Sequence, residues 1–199
     1  GAGTYVQIVA QELTKQGHKV SVITGFETYS KDGFFKDQDV DVYTQKINSK
    51  LLWYISKIPL INSLIFRSAE YLIKGYKKFR LIRRINKKFK IDIIEYSSNG
   101  DFWQSIFKSI PYVVHFHGSK YTIDRFLKRE ITFGDRLMNY FSGYFYKNAS
   151  FIISPSQWML TEVEKENNFQ YQNKLVIKYP TSYFNSEILK NKINKKVRF

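Results

Sequence analysis

One hydrophobic core is within reach of 199 residues of which 43% are hydrophobic and 18% aromatic, proportions that exclude an intrinsically disordered chain. The lack of cysteine excludes disulfides and thiolate metal sites and fits a reducing compartment. A formal net charge of +15 draws the surface toward phosphates on nucleic acid, anionic lipid or a nucleotide without choosing among them, and no run of about 18 apolar residues is present to span a bilayer.

The chain opens on Gly1-Ala2-Gly3-Thr4, a glycine loop predicted to feed a helix whose apolar face is Val6, Val9, Ala10 and Leu13. Gly17 is placed to stop that helix, with His18 in the turn beyond it in a structural role. Lys19 to Thr24 then reads as a short β-branched strand. Loop, helix, turn and strand make half of a βαβ unit. Such a unit ordinarily has a strand ahead of the glycine loop, so the expectation is a sheet lacking its first strand. Residues 26–66 are the least organised, with a short strand at Val40 to Tyr43 followed by the apolar stretch Leu51 to Phe66, broken by Lys57 and Pro59. That stretch reads as a buried connecting helix, or as apolar insertion into a membrane beside the basic helix that follows.

Arg67 to Lys90 carries ten basic residues against the single acid Glu70, while Ala69, Leu72, Ile73, Tyr76, Phe79, Ile82 and Phe89 recur at near-helical spacing. Two readings stand for this basic amphipathic helix. Its apolar face packs on the domain's own sheet with the lysines solvated, or Lys77, Arg80, Arg84 and Lys88 contact anionic lipid headgroups, worth about 1 kcal/mol per basic residue near the surface. Nucleic acid finds no recognition motif, zinc spacing or RNP-type aromatic pattern to support it, and is not expected as a partner.

Strands are predicted at Ile91 to Glu95, Tyr112 to His117, Phe151 to Ser154 and Lys174 to Lys178, and helices at Asp101 to Lys108, Ile131 to Lys147 and Gln157 to Asn167. Strands alternating with helices predict an α/β fold built on a doubly wound, Rossmann-like parallel sheet. Residues 1–190 read as one domain. Residues 191–199 read as a polar, basic linker running into the first residues of another strand.

In such a sheet ligands bind where the parallel strands end. The G-x-G of Gly1 and Gly3 puts backbone N–H groups and the positive end of a helix where an anion can approach, or is a plain tight turn. Val6 stands where a dinucleotide fingerprint wants a small residue, which speaks against NAD or FAD. His117 closes its strand ahead of Gly118 and Ser119, where an imidazole donates to a sugar hydroxyl or phosphate oxygen, or satisfies a loop carbonyl. His115, two residues earlier, projects to the same face but deeper, as a core histidine. No Ser-His-Asp order, zinc-ligand spacing or P-loop is present, and the carboxylates form no legible acid/base pair.

Gly1-Ala2-Gly3-Thr4-Tyr5-Val6 with Leu13 and Gly17-His18-Lys19-Val20-Ser21-Val22-Ile23-Thr24 resembles the opening of the family-four retaining glycosyltransferases. Asp92-Ile93-Ile94, Pro111 to Gly118 and Ile152-Ile153-Ser154-Pro155-Ser156 resemble that family's later strand ends, in order. The resemblance implies one half of the two-domain GT-B fold, the N-terminal acceptor side. It implies transfer of a sugar from a nucleotide-diphospho-sugar to an acceptor hydroxyl with retention, without cofactor or required metal, in surface polysaccharide or glycolipid synthesis. Gly1, Gly3 and Thr4 would face the cleft, His117 would match the histidine that touches the transferred sugar, and Gly118 and Ser154 would lie at the cleft edge. The nucleotide-binding residues would belong to a second domain beginning near Lys196, so this part alone would be inactive. Partners would be the sugar donor, a saccharide or lipid-linked acceptor and an anionic membrane surface, in the cytoplasm or on the cytoplasmic face of the plasma membrane. The alternatives are a sugar-nucleotide epimerase of the same fold, or a basic module that binds membrane or nucleic acid.

Overall fold

The structure, a computed structural model, describes residues 2–24, 32–45, 57, 59–97, 101–117 and 120–177. Gly1, Gly118, most of the stretch 51–58 and the expected linker at 191–199 lie outside the described residues.

Helix α1 (Ala2–Lys15) begins at once, so Gly3 and Thr4 form its first turn rather than a preceding loop. Gly17, at φ +90°, ends it as expected. Its N–H bonds to the Thr14 carbonyl and that of His18 to Leu13, the paired bonds of a Schellman cap. Strand β1 (Ser21–Thr24) follows, then β2 (Gly33–Asp37) and β3 (Val40–Thr44). β3 lies parallel to β1 and antiparallel to β2. The β2–β3 hairpin turns on Gln38 and Asp39, both at positive φ, the backbone that matches strand twist in two-residue hairpins. Ala10, Val40 and Val42 form a small core against Val20 and Val22.

The long helix α2 (Pro59–Lys88) starts eight residues before the sequence pattern predicts. Beyond it come β4 (Ile94–Ser97), α3 (Phe102–Phe107), β5 (Tyr112–His115), α4 (Lys120–Phe126), α5 (Phe133–Lys147), β6 (Phe151–Ser154), α6 (Gln157–Asn167) and β7 (Lys174–Val176). Strands β4 to β7 pair side by side in chain order, all parallel, each reached through a helix, which is the Rossmann-like α/β arrangement expected. The helix ends follow their caps. Asp101 accepts from the Trp103 N–H to start α3, Thr132 and Asp135 form a capping box on α5, and Ser156 caps α6.

The larger core lies between this sheet and α2, α5 and α6. Tyr112, Val114 and Phe116 alternate along β5 onto that side, where the Tyr112 ring stacks on Phe145 and its hydroxyl donates to the Phe145 carbonyl. Helix α2 packs most extensively on α5. Its residues Phe79, Ile82 and Ile85 are buried, whereas Tyr76 and Phe89 of the expected apolar face are exposed. The own-core reading of its apolar side therefore holds for the middle of the helix. α4, which no periodicity announced, is tied to α6 by Thr122 donating to Glu166 and Arg125 pairing with Glu162. No helix among the described residues is long and apolar enough to cross a membrane.

Candidate active site

β4 begins three residues later than its apolar run suggests, at Ile94, and Ile93 ahead of it is exposed. The shift puts Glu95 inside the strand, in register with Val113, while Ser97 pairs with His115. Residues in register share a face. Glu95, Ser97, Val113 and His115 therefore point to one side, away from the Tyr112–Phe116 core, and His117 continues that row just beyond the strand end. The His115 and His117 rings stack with centroids 4.6 Å apart, bearing out the shared face.

Tyr5, in the second turn of α1, closes this group from above. Its ring meets His115 edge-on at 4.7 Å and His117 at 5.1 Å. Its hydroxyl donates to Glu95 Oε1 at 3.1 Å and lies 2.9 Å from His115 Nδ1. A phenol has one proton, so with that proton on the Glu95 side, Nδ1–H of His115 is the donor to the tyrosine oxygen. The result is a chain from His115 through Tyr5 to Glu95, and His115 Nδ1 also lies 3.4 Å from the same carboxylate oxygen.

The electrostatics follow from this geometry. Burial pushes the Glu95 carboxyl up, but hydrogen bonds from His115 and Tyr5 and the field of both histidines outweigh it, leaving a carboxyl below its ordinary value. Burial lowers His117 and neighbouring His115 lowers it further, with Glu95 pulling back only in part. Near neutral pH the site thus holds a carboxylate beside a neutral His117, with the positive end of α1 close by. Such a set accepts a hydrogen bond from a hydroxyl at Glu95 and donates or accepts one at His117. No group of three His, Asp or Glu suited to hold a metal ion occurs among the described residues.

Of the residues predicted from sequence, Gly3 and Thr4 are exposed on the turn of α1 adjoining Tyr5, and a side chain added at Gly3 would meet open space. His117 is half-buried in the group. Ser154, at the end of β6, is fully buried, and its hydroxyl donates to the Ser156 carbonyl, so it shapes the turn into α6 instead of presenting itself to the crevice. His115 is buried as expected, yet it is bonded into the site rather than silent in a core. Arg80, Arg84 and Lys88 are exposed along α2, whereas Lys77 is half-buried, its backbone carbonyl accepting from Gln45. Sequence reasoning missed Tyr5 and Glu95. The available signal for Glu95 was an acid at the end of an apolar run, and its parity with His115 follows only from the strand register.

A parallel α/β sheet with polar side chains gathered where β4 and β5 end has the ligand-binding plan of Rossmann-like domains. The sequence model of Glycosyltransferase Family 4 matches residues 1–177, a span that includes every described residue, and the chain belongs to that family. It is a glycosyltransferase domain. Neither the curated proteins nor the solved structures give a match.

Proposed function

We propose that this domain forms the acceptor side of the cleft of a retaining glycosyltransferase that uses a nucleotide-diphospho-sugar, with a second domain holding the nucleotide. The observation that carries the proposal is the convergence of Tyr5 from the first helix with Glu95, His115 and His117 from two strand ends. In the reaction the bond from the anomeric carbon to the diphosphate oxygen breaks, a bond to the acceptor oxygen forms, and the acceptor hydroxyl's proton passes to the departing diphosphate. A neutral His117 is suited to hydrogen-bond a hydroxyl of the transferred sugar. Glu95 is suited to hold the acceptor hydroxyl, and the positive end of α1 favours negative charge growing on the leaving diphosphate. No step calls on a metal ion. Surface polysaccharide or glycolipid precursors are the acceptors proposed, with the exposed basic side chains of α2 (Arg80, Arg84 and Lys88, flanked by Lys77) meeting an anionic membrane on the cytoplasmic side.

The test is donor-dependent sugar transfer by the protein together with its donor-binding domain. His117→Ala is expected to lower kcat/KM by about two to three orders of magnitude, the range for losing a group that bonds the reacting sugar, with the thermal midpoint little changed. Wild-type rates in that variant, or rates lost only in step with unfolding, would refute the assignment.

A further inference from the structure

Helix α3 lies across α2 and α5 and packs on both. The Trp103 indole N–H donates to the Leu72 carbonyl at 2.8 Å, pinning α3 to α2, and the same ring meets Tyr76 edge-on at 5.2 Å. Phe102 turns the other way, onto Tyr144 of α5 at 5.7 Å. Phe107 stacks on Phe79 of α2 at 5.1 Å, and the Arg83 guanidinium lies 5.8 Å from that same Phe79 ring.

This packing leaves apolar surface in water. Ile106 and Phe107, at the end of α3, are 43% and 54% exposed, and the flanking Tyr76 and Tyr144 are 44% and 40% exposed. Clustered exposure of this kind marks a contact surface. The charge around it has one sign. Neither Arg80 to Lys88 nor Phe102 to Lys108 contains an acid. Arg80, Arg83, Arg84 and Lys87 are exposed on α2, and Lys108 is exposed beside Phe107.

Cations and apolar side chains together select the partner. A free phosphate needs the cations alone and gains nothing from Ile106. An uncharged apolar partner would desolvate the cations without pairing them. A nucleic acid would take the cations and stack on the rings, but an aliphatic side chain at the tip gives a base nothing to stack on. An anionic bilayer uses every part: phosphates meet the cations, tyrosines sit at the polar boundary, and Ile106 and Phe107 reach below it. We propose that the end of α3 is an apolar anchor, with Ile106 and Phe107 entering the headgroup boundary of an anionic leaflet while the cations of α2 hold its phosphates. Insertion rests on the membrane contact already proposed for α2, and it adds attachment that survives salt, which charge alone does not supply.

The chain has no cysteine, so Ile106→Cys carries one environment-sensitive dye. On vesicles of phosphatidylserine and phosphatidylcholine in equal parts its emission should shift to the blue. The same dye at Ile8→Cys, on α1 across the sheet, should stay as in buffer. The double change Ile106→Ser with Phe107→Ser is expected to weaken vesicle binding about thirtyfold, half of what full burial of two such side chains is worth. It should also abolish the binding that remains at about 1 M salt, where the Debye length is about 3 Å. Ile106→Trp, which leaves the Phe79 stack untouched, should tighten binding. A dye at residue 106 that stays in water on vesicle-bound protein, or serine and tryptophan variants that both bind as wild type does, overturns insertion and leaves the charge contact of α2 standing. A blue shift produced equally by oligouridylate without vesicles would assign the face to nucleic acid and overturn it as well. Wild-type protein that stays free of the vesicles removes both membrane proposals, without bearing on the transfer reaction at His117.

Discussion

Replacing Tyr5 by Phe removes one oxygen from the centre of the candidate site and leaves the ring that packs on both histidines. The hydroxyl serves two partners, Glu95 Oε1 at 3.1 Å and His115 Nδ1 at 2.9 Å. The Glu95 side chain is 40% exposed, so water replaces its lost bond at little cost. His115 is 2% exposed at its side chain, and its Nδ1–H keeps only the longer, 3.4 Å approach to Glu95. A buried donor left poorly paired costs about 1–3 kcal/mol, and the remaining contact offsets part, so a loss near 1.5 kcal/mol is expected. Urea unfolding of wild type, Tyr5→Phe, Glu95→Gln and the double variant measures it. The cycle should return a coupling of about 1 kcal/mol, because both changes break the same chain. Glu95 should also titrate higher in Tyr5→Phe, since a bond that favours its charged form is gone. Its folded value lies below its unfolded one, so it adds stability above the unfolded value that is lost as pH falls through the folded one. The acid loss should therefore be smaller in Tyr5→Phe than in wild type. Additive single effects, together with an unmoved Glu95 titration, would refute the hydrogen-bonded chain.

Two further outcomes follow from groups outside the crevice. Burial raises the Asp101 carboxyl from 3.8 to about 7, with Lys78 and the N–H groups of Trp103 and Gln104 pulling the other way. The folded chain then holds a proton that the unfolded chain has released, so stability falls as pH rises between about 4 and 7, by up to about 4 kcal/mol. Asp101→Asn keeps the α3 cap and should flatten that slope in chemical denaturation, and equal slopes in both proteins would refute it. On α2, charge reversal at Arg80, Arg84 and Lys88 should weaken binding to phosphatidylserine vesicles roughly a hundredfold at low salt, from about 1 kcal/mol per group. Wild-type protein that fails to sediment with those vesicles would remove the membrane reading.

The elements that could be read from the sequence are those whose signal is local. Asp101, Thr132 and Ser156 are short polar side chains ahead of apolar helical spacing, and each caps a helix at or within a residue of the expected start. Gly17 needs no partner elsewhere in the chain to turn left-handed. β2 was hidden because its hairpin turns on Gln38-Asp39, which lacks the Asn-Gly or Asp-Gly signal, and because both its aromatic rings stay exposed as an edge strand allows. The early start of α2 was hidden by Pro59, which reads as a break although proline is at home in a first helical turn.

The candidate site shows the same division. The place of His117 just beyond a strand end could be read because a histidine ahead of a glycine after an apolar run has a position along the chain that implies a position in space. Tyr5 and Glu95 lie 90 residues apart and meet only when α1 lies across the ends of β4 and β5. By itself the sequence determined the α/β class, most helix ends and the family, because periodicity, capping and motifs act over a few residues. Tertiary structure alone decided which carboxylate joins the histidines and which tyrosine lies between them. Both depend on strand register and on where α1 packs, and neither is a property of any local stretch of chain.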